Sequence, residues 1–407
     1  MVGRGRRAGR RETARRVAGG AVVSGARYDV VVAGGGPAGV AAAIVLARAG
    51  RVVLLADAGR GPGSVGEALP AAARVLLRDL GADRVLADGH LPCPANRSAW
   101  GGPELASTDS IRDPHGHGWH LDRPRFDGRL RDRARAQGVQ LAERTAVRPL
   151  ARTPDGGWTV ELRGPARETA RCRWLLDATG RRAALARACG ARTLTRDRLV
   201  AVHLTLDPAD PPGADTTTTV ESAPDGWWYT APLPTGHRLL AWYADADGGD
   251  ARPAGEAFAA RLADTRHVGP LAAAHPWPAG GGALRRAPAH TAWLDRVDGE
   301  GWVAAGDAAL AFDPLSSQGI LTALFTGLRA GQAVHARLGG DGEALGGYAR
   351  EVAAVRAAYL RTLRSHYAAE RRWSDRPFWR DRQYPQHPQH PQRTATTTTT
   401  TTEETPV

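Results

Sequence analysis

The sequence predicts an α/β fold: a doubly wound, three-layer domain, interrupted by an inserted antiparallel β-sheet domain and closed by C-terminal helices. Three observations predict it. Residues 28–57 run strand, glycine turn, alanine-rich helix, strand; residues 199–244 read as consecutive antiparallel strands; and an apolar strand followed by a long helix returns over residues 302–338. A sheet built in two visits of the chain, with a β-rich insertion between them, accounts for that order.

The first unit carries the most information. An apolar run over 28–33 leads directly into Gly34-Gly35-Gly36-Pro37-Ala38-Gly39, with G-x-G-x-x-G spacing. An alanine-rich helix then runs to Gly50, a second apolar run covers 51–56, and Asp57 ends it. Glycines make the turn tight and let backbone approach a pyrophosphate resting on the helix N-terminus. Asp57, roughly 20 residues beyond the fingerprint, is placed to accept from a ribose hydroxyl. Strand, helix, strand and acid in this order predict a Rossmann-like dinucleotide-binding unit.

Helical spacing follows over 71–80 and 126–137, the second with Leu130 and Ala134 on one face. Short strands are expected at 139–142, 146–150, 158–162 and 173–178, the last ending on Thr179-Gly180. The β-rich insertion offers strands at 199–206, 216–222, 226–232 and 237–244, separated by Pro, Asp and Gly turns, then a helix at 255–263. Late in the chain come a strand ending at Gly306-Asp307, the segment Phe312 to Gly319, a helix over 320–338, and helical stretches at 343–366 and 367–373. Past Phe378, proline-spaced Gln-His repeats and a threonine run read as a solvated tail. The expected division is therefore 1–26 basic arm, 27–195 and 289–340 the two parts of the dinucleotide domain, 196–288 a β-rich substrate domain, 341–380 helices, and 381–407 tail.

The chain has 407 residues and a net charge of +12, but seven arginines within the first sixteen residues oppose only Glu12. The excess is largely a property of the tail, no nucleic-acid-binding motif accompanies it, and a nucleic-acid partner is not expected. No run approaches the roughly 18 apolar residues of a membrane helix, so a cytoplasmic protein without membrane contact is expected. Cys93, Cys172 and Cys189 have neither disulfide-framework nor zinc spacing, and no metal site is expected. All 54 basic residues are arginine; the chain contains no lysine.

Three separated signatures, Gly34 to Gly39, Asp177-Ala-Thr-Gly180, and Gly306-Asp307 with Pro314-Leu-Ser-Ser-Gln-Gly319-Ile320, resemble the single-Rossmann FAD-dependent aromatic hydroxylases and their relatives the tryptophan halogenases. The resemblance covers roughly residues 28–380. It implies that Gly34, Gly36, Pro37, Ala38 and Gly39 hold the FAD pyrophosphate and Asp57 the adenosine ribose. Arg123 is directed at the phosphate or ribityl region, Asp307 binds the ribityl chain, and Pro314, Gly319 and Ile320 lie beside the isoalloxazine. There a helix N-terminus favours the negative charge of a reduced flavin. The segments 66–70, 118–123 and 226–232 are similar to flavoproteins that mature tryptophan-derived quinone cofactors inside partner oxidases. The implied activity is monooxygenation of an electron-rich aromatic, free or in a peptide or protein, through a flavin C4a-hydroperoxide, with O2 as co-substrate and NAD(P)H or an external flavin reductase as electron source. Polyprenyl-type FAD reductases share the motif order and remain a second reading. Halogenation by the known route needs a lysine, which arginine does not replace because it stays protonated and is a poor nucleophile.

Trp227 and Tyr229, with Trp228 between them, are candidates for positioning the substrate ring, although only one face of their strand can line a cleft and large aromatics also fill cores. Glu67 is a further candidate, in a loop that the resemblance runs against the flavin, with loop capping as the competing view. His120 and His203 are candidates for moving protons near neutrality, with satisfied structural residues as the competing view.

Overall fold

A computed structural model describes residues 25–59, 68–210, 213, 215–247, 255–278 and 284–383. The N-terminal arm, Glu67 and the Gln-His and threonine tail lie outside them. Helices are α1 Pro37–Arg48, α2 Ala73–Asp79, α3 Arg123–Ala136, α4 Ala184–Ala188, α5 Gly255–Ala263, α6 Val268–Ala273, α7 Gly319–Leu338, α8 Ala344–Ala369 and α9 Pro377–Gln383.

The first sheet is assembled from both ends of the chain. Strand Ala26–Ala33 runs parallel between Val53–Asp57 and Arg167–Asp177, with Val31 opposite both Leu54 and Leu175. Gln140–Glu143 extends one edge and Trp302–Ala304 the other, both parallel. Central strands of such a sheet are buried on both faces and so read as continuous apolar runs; Val30, Val31, Val32, Leu54 and Leu55 are completely buried. Strands Trp158–Arg163 and Ala146–Arg152 fold back antiparallel on the sheet.

Helix α1 lies between this sheet and α7, which explains its composition. Its alanines are buried along almost the full length, and α7 approaches so closely that a Cβ on Gly327 would sit 2.1 Å from the Ala38 carbonyl oxygen. Glycine at that position is a condition of the helix contact.

The second sheet has the order Arg285–Pro288, Leu199–Leu206, Arg238–Asp245, Gly226–Pro232, Thr218–Ala223, Ala95–Ala99, Ala106–Asp109. Its last two strands come from before the insertion, and Ala95–Ala99 adds parallel to Thr218–Ala223. One face packs into the core shared with the first sheet; the other forms a separate core with α5 and α6. Two features of the C-terminal region differ from the sequence expectation. The stretches read as 343–366 and 367–373 are one helix to Ala369, because Tyr359, Leu363 and Tyr367 continue a single buried face. Order also persists beyond Phe378: Trp379 is completely buried and Arg382 is paired with Asp245, so residues 379–383, read as the start of the tail, are a clasp on the second sheet.

Candidate flavin site

The glycine fingerprint divides into packing glycines and an open one. Gly34 has φ +110°, and a Cβ there would lie 2.1 Å from the Ala178 carbonyl oxygen; one on Gly39 would lie 1.9 Å from the carbonyl oxygen of Gly34. Gly36 has ordinary extended backbone and nothing within 4 Å of where its Cβ would stand. The first two positions demand glycine for the fold, whereas the third keeps space clear in front of α1. Pro37 opens that helix, whose N-cap has no side-chain hydrogen bond. Its first amides therefore lack intrahelical acceptors and side-chain caps alike.

The late motif repeats this arrangement. Asp313 accepts from Leu315 N at 2.9 Å and from the Tyr367 hydroxyl at 2.7 Å, fixing the turn Pro314–Ser316. Ser317 takes a left-handed conformation, φ +51°, and α7 starts at Gly319 without a side-chain cap. Gly319 also has nothing within 4 Å of a hypothetical Cβ, while Ile320 turns into the core at 9% exposure. The two motifs meet: Gly306, φ +62°, leaves its Cβ position 2.7 Å from the Ala38 side chain.

Between them stand the charged groups. Asp307 keeps 38% of its side-chain surface accessible, although it is set deep enough in the molecule that burial raises its pKa against the pull of Arg181 and Arg123. Deep placement with an accessible carboxylate is the signature of a concave wall. Arg123 opens α3, beside the Asp122 cap that accepts from Arg125 N at 3.0 Å, and pairs with Asp127 at 3.0 Å. Asp57 is further along, held by Gly59 N at 3.3 Å and Arg131 at 3.5 Å.

Arg181 is the residue the sequence reading missed. It donates to the carbonyls of His290 and Phe312, the latter at 2.7 Å, and its Nε lies 3.7 Å from Asp307. One guanidinium thus joins the Thr179-Gly180 turn, the loop before the strand Ala292–Leu294 and the late motif. Its position directly after Asp177-Ala-Thr-Gly180 was the available signal. Asp177 itself is used locally: it accepts from Thr179 N and Oγ1 and from Ala186 N, capping the turn.

The aromatic candidates separate by face. Trp227 and Tyr229 point into the core shared by the two sheets and Trp228 into the core under α5 and α6. Trp227 is completely buried and stacked on Tyr243, centroids 3.8 Å apart; Tyr229 is 6% exposed. His120 is fixed: burial pushes it down to about 4, and a ring nitrogen lies 3.0 Å from the Thr216 carbonyl, so it is neutral. His203, on the inner face with Ala201, is lowered by burial and then by Arg285. Among the described residues no cluster has the makings of a metal site, and no helix is long and apolar enough to cross a membrane.

These residues fit a bound FAD. Two uncapped helix N-termini, each beside a glycine whose missing side chain leaves open space, converge with an arginine pair and an accessible acid.

Comparison with known proteins agrees. The tryptophan halogenase family matches residues 75–404. LodB of Marinomonas mediterranea, which carries the name of an FAD-dependent oxidoreductase, is 27% identical over 368 residues, 87% of this chain and 96% of LodB. The structure of the peptidyl tryptophan dihydroxylase QhpG, essential for tryptophylquinone cofactor biogenesis, superposes with TM-score 0.72 at 28% identity, covering 89% of this chain and 80% of QhpG. The myxobacterial chondrochloren halogenase CndH superposes with TM-score 0.78 at 22% identity, covering 88% and 86%, and shares the fold. The chain belongs to the tryptophan halogenase family and is an FAD-dependent oxidoreductase.

Proposed function

We propose that the enzyme is a monooxygenase that hydroxylates an electron-rich aromatic ring, with the indole of a tryptophan in a peptide or protein as its substrate class. The observation that carries this reading is the likeness to QhpG over nearly the whole chain. Membership of a family named for halogenation does not transfer that reaction, since the chain has no lysine to handle an oxidised halide.

FAD, once bound and reduced, supplies the oxygen chemistry, with O2 as co-substrate and electrons from NAD(P)H or a separate reductase. The chain's own residues bind and orient. Gly36 leaves room for the pyrophosphate at α1, while Gly34 and Gly39 bring the backbones together, and Ala38 and Pro37 shape that helix start. Asp57 accepts from the ribose, Arg123 neutralises phosphate, and Asp307 accepts from the ribityl hydroxyls. Pro314, Gly319 and Ile320 would bring the uncapped N-terminus of α7 to the bound flavin, and a helix N-terminus favours negative charge by up to about 2 kcal/mol. Arg181 positions Asp307 and the 312–314 backbone. Tyr229, backed by the Trp227–Tyr243 stack, forms an aromatic wall for the substrate ring, and the apolar shared core keeps water from it.

The test is mass spectrometry on tryptophan-containing peptides and free tryptophan after incubation with enzyme, chemically reduced FAD, labelled O2 and bromide. Gain of one labelled oxygen on the indole is the expected result. A brominated ring, or an unmodified one across all substrates together with anaerobic reduction of an alkene, would overturn the reading.

A further inference from the structure

A pocket of about 470 Å³ lies outside the flavin site, between α2, the short helix Asp83–Leu86 and the small sheet in which Gly118–His120 pairs with Ala68–Leu69 and Leu91–Cys93. Successive residues of a strand point to opposite faces. His120 reaches Thr216, while Trp119 turns the other way and floors the pocket, only 4% exposed. The Arg74 guanidinium lies 4.3 Å from the Trp119 ring centroid, and His117 meets the ring edge-on at 4.9 Å. Arg78, one turn along the same helix face, also lines the pocket.

Most arginines of the neighbouring helix α3 already hold acids. Arg125 and Arg129 pair with Asp88, Arg123 with Asp127, Arg131 with Asp57, and Arg135 with Asp132 and Glu143. Among the described residues neither Arg74 nor Arg78 has a carboxylate within ion-pair distance, and Asp83, the acid on the wall, pairs with neither. His90 adds a neutral wall: Nδ1 accepts from Asp122 N at 3.1 Å, leaving the proton on Nε2 for the Val85 carbonyl. The volume suits a small ligand, which pockets of this kind hold with a few placed polar groups.

We propose that this pocket is a second nucleotide site: Arg78 takes phosphate, and the Arg74 guanidinium, laid over Trp119, presents its free face to an adenine ring. The chemistry is shared by a nicotinamide dinucleotide acting as electron donor and an adenine nucleotide acting without redox change. The site has no residue in common with the fingerprint or the late motif, so it stands or falls independently of the monooxygenase reading.

The test is calorimetric titration of FAD-loaded protein with NADPH, ADP, adenosine and inorganic phosphate, repeated on Gly36→Val, which blocks the fingerprint. Saturable binding of NADPH or ADP in both proteins is expected, with adenosine and inorganic phosphate at least roughly tenfold weaker. Arg74→Ala and Arg78→Ala, both on exposed side chains, each weaken it about tenfold, and the double replacement removes it with unchanged FAD content and melting temperature. Flavin reduction by NADPH that is lost in Arg78→Ala identifies the donor; ADP binding without reduction identifies the redox-silent ligand. No saturable binding, binding that survives the double replacement, or inorganic phosphate competing as well as ADP would overturn the proposal.

Discussion

At the residue scale, three glycines of one motif have different physical obligations, and substitution separates them. Gly36→Val adds a side chain at a backbone conformation any residue adopts, into space no protein atom occupies. It is expected to lower the melting temperature of the flavin-free protein only by the small cost of a poorer N-cap, while lowering FAD affinity by about two orders of magnitude. Gly39→Ala places a methyl on the Gly34 carbonyl, and overpacking of this kind costs about 1–3 kcal/mol or more. Its melting temperature should fall before any flavin is added. Flavin fluorescence titration beside thermal melts of both variants measures this; equal loss of stability in the two would remove the distinction. The motif was legible in sequence because its spacing is set by one turn and the helix after it, although Gly34 also meets the Ala178 carbonyl beyond the end of the adjacent strand. Arg181 was not, since its partners His290 and Phe312 are 109 and 131 residues away and only the fold brings their carbonyls to it.

At the scale of elements, the turn before α7 contains a buried acid with a readable pH signature. Burial, reinforced by Asp197, pushes Asp313 up to about 6 from an ordinary 3.8. A carboxyl whose folded pKa is raised binds its proton more tightly in the folded state. Its contribution is therefore greatest below about pH 4, is lost as pH rises to about 6, and is flat above. His120, lowered from 6.5 to about 4, does the opposite, so stability rises with pH across that window. Each amounts to about 3 kcal/mol, and in the wild type they largely cancel. Asp313→Asn should therefore show unfolding free energy rising more steeply than wild type between pH 4 and 6, and His120→Asn should show it rising less or falling. Urea denaturation at several pH values reads the slopes, which are independent of any constant loss from the altered hydrogen bonds. Parallel curves for Asp313→Asn and wild type would show that the carboxyl is not perturbed. The strand and helix order of this region was visible in the apolar periods. The capping of Asp313 by Tyr367, from 54 residues away, was not, because nothing local to either residue encodes it.

At the scale of the molecule, the chain crosses between its two sheets repeatedly, and the division suggested by composition does not follow all of those crossings. Residues 95–109 extend the second sheet from within the first segment, which the division left out, whereas the Trp302–Ala304 strand joins the first sheet from beyond the insertion as that division has it. A single apolar core joins Val31 and Leu54 of one sheet to Trp227, Tyr229 and Tyr243 of the other. The C-terminal clasp adds to it: the Trp379 indole donates to the Ala223 and Pro224 carbonyls at 3.0 and 3.1 Å, and buried Arg382 pairs with Asp245. Sequence could not announce this clasp, whose Arg-Asp-Arg-Gln run has the composition of a tail. Elements that share one core unfold together, so despite its two sheets the protein should show a single transition, with tryptophan fluorescence, far-ultraviolet circular dichroism and flavin release coinciding. Arg382→Ala removes a buried guanidinium and its two hydrogen bonds to the partly exposed Asp245 and should cost about 1–3 kcal/mol. If the core is one unit, that loss moves all three signals equally, flavin release included, and not only the late motif that Arg382 adjoins through Tyr367. A variant in which the second sheet melts first, while flavin stays bound to an intact first sheet, would show that the two sheets are thermodynamically separate and that the substrate wall is not rigidly tied to the cofactor.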